Sequence, residues 1–178
     1  MIKAEYVTRV PDPVAKRLGA SNHAVWRVER ARALARDLGV EGWTALQLRH
    51  SFVSPRPGAA LPDQGHVLVS QEAIDYVTTE PGLAMWAYTP LLNGAYARAD
   101  RPLPEAYDHP GTERRLKVLS DIANETGSTR NQVVLAWLMQ EAISPIVGVS
   151  SVEQLGEAMA AAELRLDGEQ WARLNEMS

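Results

Sequence analysis

The chain has 178 residues and a formal net charge of −4, from 18 Lys+Arg against 22 Asp+Glu. This mildly acidic balance argues against a nucleic-acid-binding protein, because such proteins concentrate lysine and arginine on one face. The absence of cysteine excludes disulfides, thiolate zinc sites and cysteine nucleophiles. No apolar run approaches the roughly 20 residues of a membrane-spanning helix, and residues 1–14 lack the apolar core of a signal peptide. We therefore expect one soluble domain, residues 1–178, in the cytoplasm, with no nucleic-acid or membrane partner.

The first predicted elements are a strand and an amphipathic helix. The run Ala15–Ala20 predicts a short strand, and the next residues, Ser21 and Asn22, suit a helix N-cap. The stretch Ala24–Leu38 predicts a helix that ends before Gly39. Apolar residues at helical spacing predict its inward face: Val25, Val28, Ala31, Leu34, Ala35 and Leu38.

The middle of the chain continues this alternation. Thr44–Leu48 predicts a second strand, and a Pro/Gly-rich loop then leads to a short helix over Gln71–Thr79. The run Leu83–Tyr88 is apolar at nearly every position and predicts a third strand. Residues 92–111 contain three prolines and two glycines and predict a long irregular loop, a feature that is often functional in compact domains.

The last third of the chain predicts one strand among four helices. The strand is Ile143–Val149. The helices are Thr112–Thr126, one that starts after Ser128, one capped by Ser150-Ser151 that extends to Ala162, and one that starts at Asp167.

Strands that alternate with helices four times predict an α/β fold with a parallel sheet and right-handed crossovers. Strands of such sheets are usually buried on both faces, which suits the third and fourth apolar runs. Polar residues follow each predicted strand, where α/β proteins place their sites. These residues are Ser21, Asn22, Gln47, Thr89 and Ser150.

The same strand ends carry a set of motifs in a recognisable order. GASNH occupies residues 19–23, LQLRHS residues 46–51, AYTPLLNG residues 87–94, and PIVGVSSVEQL residues 145–155. Together they resemble the strand ends of the aldo/keto reductase superfamily, the NADPH-dependent carbonyl reductases with a TIM-barrel fold. The resemblance extends over residues 16–164 and corresponds to strands five to eight of that barrel.

The resemblance implies a parallel (β/α) half-barrel like the C-terminal half of a TIM barrel. A complete (β/α)8 domain needs about 250 residues, whereas this sequence predicts four strands. The family's catalytic Asp, Tyr, Lys and His belong to the other half, and no residue of this chain matches their motif positions. Redox catalysis is therefore not expected of this chain alone.

By resemblance, NADP(H) is the expected cofactor, and no metal is expected. Ser21, Asn22 and Gln47 would hydrogen-bond the nicotinamide carboxamide, and Tyr88 would stack against the ring. The remaining residues that the resemblance assigns to the cofactor are Thr89, Leu91, Gly148 and Ser150. Purely structural roles are the alternative. Ser21-Asn22 could cap a helix, Tyr88 could serve packing, and Gln47 could hydrogen-bond backbone groups at the mouth of the barrel.

Three positions depart from the family pattern. Val149 and Leu155 lie nearest the places where the family often has basic residues that grip the 2′-phosphate of NADP, and Met159 falls where an asparagine commonly contacts adenine. Arginine pairs bidentately with phosphate, and apolar residues do not. The departures predict weakened cofactor binding and put selectivity for NADP over NAD in question.

Other side chains are candidates for chemistry or substrate contact. His50 stands where the family usually has a tyrosine, and a neutral imidazole there could act as an acid or base; a structural hydrogen bond is the alternative. His23, Tyr96 and Tyr107 are candidates for a substrate pocket and suit a hydrophobic or cyclic small-molecule ligand. The histidines, aspartates and glutamates show no spacing typical of a metal site.

A half-barrel leaves two sheet edges and one apolar face to be covered. We expect a homodimer or a higher homo-oligomer, or a partner that supplies the other half of the barrel. Two functional classes remain open: an aldo/keto reductase-type oxidoreductase that retains the nicotinamide-binding half, or a shortened relative that works as a non-redox enzyme or small-molecule-binding protein.

Overall fold

The computed structural model describes residues 17–61 and 65–176. They contain four strands that form one sheet in chain order, with every neighbouring pair parallel. The parallel α/β fold predicted from the sequence is therefore confirmed. The sheet is open, as in a half-barrel, with the first and last strands at its edges. The strands are β1 (Leu18–Ser21), β2 (Trp43–Arg49), β3 (Ala84–Tyr88) and β4 (Ile143–Ile146).

Within the described residues, six α-helices accompany the sheet, close to their predicted bounds. A left-handed glycine ends α1 at Gly39, and Thr129 and Gln132 form a capping box at the start of α4. The long loop after β3 contains two short 3-10 helices, Leu92–Gly94 and Glu105–Tyr107. The α-helices are α1 (Val25–Leu38), α2 (Gln71–Thr79), α3 (Pro110–Thr126), α4 (Arg130–Gln140), α5 (Val152–Ala160) and α6 (Gly168–Asn175).

The edge strands differ most from the sequence prediction. Ala15 and Lys16, the first two residues of the predicted first strand, lie outside the described residues, as do residues 1–14. Ser21 is the last residue of β1 rather than a cap; α1 begins after Ala24, which makes no side-chain capping bond. The pairing of β1 with β2 extends to Ser21, so this residue belongs to the strand instead of the predicted cap.

The core lies on one face of the sheet. Strand register places Leu46 opposite Met85 and Leu48 opposite Ala87, and all four side chains are buried against the helices. On the other face, hereafter the inner face, Trp86 is 45% exposed and Ile146 is 40% exposed. The expectation that the strands are buried on both faces is therefore wrong here, because the helices cover only one face.

The orientation of α1 also differs from its predicted inward face. Val28 and Ala35 are buried as expected, whereas Leu34 is 52% exposed and Leu38 is 74% exposed. These two leucines lie one turn apart on the exposed side and form an apolar surface whose contact with water is unfavourable. The spacing of apolar residues in α1 thus predicts a wider buried face than the one that the described residues cover.

Two exposed glycines differ in backbone conformation but have similar free space around them. Gly127 ends α3 at φ +63°, and Gly156 lies within α5; an added Cβ meets nothing within 4 Å at either position. We expect Gly127→Ala to destabilise the fold by about 1 kcal/mol, because an L-residue resists this left-handed conformation. Gly156→Ala is the matched control and is expected to stabilise by about 0.5–1 kcal/mol. Urea unfolding measures both, and a stabilised Gly127→Ala variant would contradict the explanation.

Candidate functional site

The polar residues at the ends of β1, β2 and β3 meet at one place. Strand register puts Ser21 beside Gln47, and the backbone N–H of Asn22 donates to the Gln47 carbonyl at 3.0 Å. The Tyr88 hydroxyl donates to Asn22 Oδ1 at 2.7 Å. The structure therefore brings together the four residues that the resemblance assigned to the nicotinamide.

Asn22 holds this cluster in place. Its Oδ1 also accepts from the Val67 backbone N–H at 3.0 Å, and its Nδ2 donates to Ser21 Oγ at 3.2 Å. Its backbone is left-handed, with φ +57°, a region that asparagine tolerates better than most residues. The side chain thus joins the end of β1 to β3 and to the segment before α2.

A groove continues from this cluster between the loop after β3 and helix α5. Its volume is about 700 Å³. Backbone with positive φ forms part of its wall at Thr89 and Asn93, where tight turns follow β3. Five of the predicted cofactor residues line it: Tyr88, Thr89, Leu91, Gly148 and Ser150.

Two arginines that the sequence prediction did not include also line the groove. Arg98 and Arg101 come from the long loop after β3. The Arg98 guanidinium binds the Asp100 carboxylate through Nε at 3.0 Å and Nη2 at 2.5 Å. This ion pair raises the pKa of Arg98 and lowers the pKa of Asp100. The sequence carries no signal for these residues, because no periodic pattern fixes where the side chains of an irregular loop point.

The three departing positions do not share one environment. Val149 lines the groove, whereas Leu155 and Met159 are exposed and do not line it. The sequence argument for weakened cofactor binding considered only the residues after β4. The opposite wall carries Arg98, which is paired with Asp100, and Arg101, so the absence of basic residues near α5 does not leave the groove without basic side chains.

His50 lies against Trp137 rather than among the residues that line the groove. The two ring centroids are 5.4 Å apart, and His50 Nε2 is buried with no hydrogen-bond partner among the described residues. Burial, with a smaller effect from the nearby Arg115 charge, lowers the pKa of His50 to about 4. The imidazole is therefore neutral at pH 7, and catalysis by His50 stays a prediction.

The three candidates for a substrate pocket have different surroundings. His23 is exposed beside the end of β1, where its Nδ1 lies 2.8 Å from the Ser21 carbonyl oxygen. Tyr96 and Tyr107 are each only 1% exposed. Ser51 shares a 2.6 Å hydrogen bond with the Tyr96 hydroxyl, whose pKa burial raises to about 12. Both tyrosines thus anchor the long loop rather than present a ring to solvent.

Arg49 belongs to the same end of the sheet and was not predicted. It is buried on the face that carries Tyr88, and its Nε donates to the Tyr107 hydroxyl at 3.3 Å. Its Nη1 lies 3.3 Å from His66 Nδ1, and the His66 ring meets Tyr88 edge to face at 5.4 Å. Hydrophobic periodicity does not indicate which distant residues a charged side chain on a strand will contact, so the sequence did not point to Arg49.

The described residues show neither a metal-binding cluster nor a membrane-spanning helix. Within 17–61 and 65–176, no group of three or more His, Asp or Glu side chains is arranged to hold a metal ion. In those ranges, no helix has the length and apolar character needed to cross a membrane.

The structure is that of an α/β protein with a binding site at the strand ends. Its open parallel sheet carries amide, hydroxyl and aromatic side chains at the carboxyl ends of the strands, and these are continuous with a groove. A family model described as "Aldo/keto reductase family" matches residues 14–178. This chain belongs to the aldo/keto reductase family, as its motifs predicted.

Individual relatives agree with this assignment. The chain is 27% identical over 181 residues to the uncharacterized oxidoreductase YrpG of Bacillus subtilis, covering 97% of this chain and 52% of that protein. It is 38% identical over 95 residues to pyridoxine 4-dehydrogenase of Escherichia coli, covering 46% of this chain and 33% of that enzyme.

A solved structure shows the same fold. The crystal structure of the thermostable aldo-keto reductase Tm1743 with the inhibitor epalrestat matches with a TM-score of 0.64 and 21% identity. The match covers 91% of this chain and 48% of that one. The chain therefore spans about half the length of YrpG and of Tm1743.

The buried His50 predicts a pH dependence of stability. Its folded-state pKa of about 4 lies below the usual 6.5, so the unfolded chain binds more protons between these values. His50 therefore contributes stability above pH 6.5 that is lost as the pH falls toward 4. We expect wild type to lose on the order of 2 kcal/mol more than His50→Gln over this window. Urea unfolding at pH 7 and pH 4.5 measures it, and parallel losses in the two proteins would contradict burial as the cause.

Proposed function

We propose that this chain forms the nicotinamide-binding half of an NAD(P)H-dependent carbonyl or alcohol oxidoreductase. The observation that carries the proposal is the joining of Ser21, Asn22, Gln47 and Tyr88 into one cluster that opens into the groove. Membership of the aldo/keto reductase family supports the choice of cofactor and reaction class.

The donor set of the cluster fits a nicotinamide. Asn22 Oδ1 already accepts two hydrogen bonds, so the groups available to a carboxamide are the Asn22 and Gln47 amides and the Ser21 hydroxyl. The Tyr88 ring is fixed through its hydroxyl on Asn22, which favours a defined aromatic surface against which a flat ring can stack.

The groove fits the remainder of a dinucleotide in size and charge. A volume of about 700 Å³ is within the usual range of cofactor sites. Arg98 and Arg101 supply positive charge for phosphate groups, and an added Cβ at Gly148 would meet nothing within 4 Å, which indicates open space beside that backbone. These residues support phosphate binding from the wall opposite α5.

The chemistry divides between the cofactor and the protein. A bound nicotinamide supplies or accepts the hydride. The residues of this chain bind and orient it: the amides fix the carboxamide, Tyr88 covers one ring face, and the arginines neutralise phosphate charge. Because no residue here matches the family's catalytic tetrad, we propose that the group that protonates the carbonyl oxygen comes from outside the described residues.

Titration with NADPH and NADH by fluorescence tests the cofactor assignment. We expect saturable binding of NADPH and at least tenfold weaker binding by Tyr88→Ala, which removes the stacking surface. Tyr76→Ala is the matched control, since Tyr76 lies on α2 and bonds to Glu29 instead. Absence of binding up to millimolar cofactor would reject the oxidoreductase assignment for this chain.

The two groove arginines generate a separate prediction. Arg98→Ala with Arg101→Ala is expected to weaken NADPH binding at least tenfold at low salt, because two charges near phosphate are lost. Arg114→Ala with Lys117→Ala, two exposed cations of α3, is the control for net charge. Equal affinities of the double variant and the control would show that phosphate is bound elsewhere.

A non-redox ligand-binding role is the second proposal. It rests on the groove itself, whose volume of about 700 Å³ suits a small-molecule ligand whether or not hydride transfer follows. The titrations with NADPH and NADH separate the two: saturable nucleotide binding supports the oxidoreductase half, whereas a folded chain that binds neither nucleotide supports the non-redox role.

A further inference from the structure

Arg49 is a buried cation at the carboxyl end of β2, beside the candidate site. It is 6% exposed, and strand register places it opposite Tyr88 on the same face of the sheet. The segment before α2 returns over it: the Arg49 N–H donates to the Val67 carbonyl at 2.9 Å, and the Val69 N–H donates to the Arg49 carbonyl at 2.9 Å. Arg49 is therefore enclosed by groups that this chain itself supplies.

The side-chain partners of Arg49 are uncharged. Its Nε donates to the Tyr107 hydroxyl oxygen at 3.3 Å, and its Nη1 lies 3.3 Å from His66 Nδ1. Because an arginine nitrogen can only donate, His66 Nδ1 is the acceptor and carries no proton. Within residues 17–61 and 65–176, no carboxylate forms an ion pair with Arg49.

Arg115, the other buried arginine of the described residues, is compensated in a different way. Its Nε donates to the Phe52 carbonyl at 2.8 Å, its guanidinium lies 4.3 Å over the Phe52 ring, and its charge interacts with the Glu141 carboxylate. A buried cation is unfavourable unless an anion or strong acceptors face it. Arg49 has only a phenol hydroxyl and a neutral imidazole at longer distances, so its charge is left for another group to compensate.

One edge of the Arg49 guanidinium faces solvent. Four enclosed polar atoms lack a hydrogen-bond partner among the described residues: Arg32 Nε, His50 Nε2, Asn131 Oδ1 and Glu141 Oε2. Arg49 Nη2 makes no hydrogen bond to those residues and is not one of the four, so it reaches the surface. Each terminal nitrogen carries two hydrogens, so Nη1 can bind His66 and still share an anion with Nη2. Two N–H groups side by side match the two oxygens of a carboxylate.

This edge lies next to the proposed nicotinamide position. The His66 ring that accepts from Arg49 meets the Tyr88 ring edge to face at 5.4 Å, and Tyr88 is the ring proposed to stack against the nicotinamide. Neighbouring strands are about 4.8 Å apart, so Arg49 is one strand spacing from Tyr88. An acidic group a few bonds from the carbon that exchanges hydride therefore falls near Arg49.

We propose that Arg49 binds the carboxylate of the carbonyl substrate and thereby selects oxo acids over uncharged aldehydes and ketones. This inference rests on the proposed function, because it names the substrate class of the same site. One guanidinium compensates one negative charge, which favours a carboxylate over a phosphate dianion in an enclosed position. The contacts with Tyr107 and His66 hold the guanidinium in its orientation.

Titration of the wild-type chain with pyruvate and with methyl pyruvate, its uncharged ester, tests the charge requirement. Two-dimensional ¹H–¹⁵N spectra of the arginine Nε–H groups follow binding without any nucleotide. We expect pyruvate to shift the Arg49 resonance saturably and to bind at least tenfold more tightly than the ester or inorganic phosphate. Equal affinities for acid and ester would overturn the proposal, and tighter binding of phosphate would overturn the choice of a carboxylate.

Substitution of Arg49 separates substrate binding from a structural role. Arg49→Met should abolish the preference for pyruvate without lowering the urea midpoint, because an apolar side chain replaces an incompletely compensated buried charge. Arg49→Lys keeps the charge but loses the planar pair of donors, so it should retain at most about a tenth of the affinity. Arg30→Met, an exposed change on α1, is the control and should bind pyruvate as wild type does. A lower midpoint for Arg49→Met with an unchanged preference for pyruvate would show that Arg49 only supports the fold.

Nucleotide titrations of the wild-type chain distinguish a failure of this inference from a failure of the proposed function. Nucleotide binding with no preference for pyruvate over its ester overturns the role of Arg49 and leaves the proposed function in place. Preference for pyruvate in a chain that binds neither NADPH nor NADH supports the Arg49 site and rejects the oxidoreductase. The comparison of acid with ester needs no variant, so it holds even where a substitution of Arg49 prevents folding.

Discussion

The helices of this protein pack on one face of a four-stranded parallel sheet and leave the other face and both edges open. Backbone groups at sheet edges and side chains such as Trp86 and Ile146 need a covering that these helices do not provide. Leu34 and Leu38 of α1 are exposed for the same reason. In a closed barrel they would contact the strand-helix unit adjacent to β1, which the described residues do not contain.

The open inner face is polar at one end, and this is where the candidate site lies. Asn22 joins three segments with one side chain and a backbone N–H, so the end of β1, the end of β2 and Tyr88 hold one another in position. Cross-linked polar groups of this kind fix orientation better than separate surface residues, because each rotamer is restrained by its partners. The groove begins at this fixed point.

The loop after β3 is held by buried groups that have no part in the proposed chemistry. Tyr96 accepts from the Val53 backbone N–H at 3.1 Å, and Arg115 of α3 donates to the Phe52 carbonyl at 2.8 Å while lying 4.3 Å over the Phe52 ring. Burial lowers the pKa of Arg115, which is the cost of placing a cation there. This anchoring carries Arg98 and Arg101 to the groove, although the loop has no regular structure beyond two short 3-10 helices.

The sequence by itself determined the order of strands and helices, the parallel sheet, the family, and the polar strand ends, because hydrophobic period and strand-end chemistry are local properties of the chain. Ser21, Asn22, Gln47 and Tyr88 were therefore found from their motifs. The tertiary structure alone decided that Tyr96 and Tyr107 are buried anchors, that His50 lies against Trp137, that Leu34 and Leu38 are exposed, and that two loop arginines reach the groove. Those outcomes depend on which distant segments meet, and the packing of side chains far apart in sequence sets them.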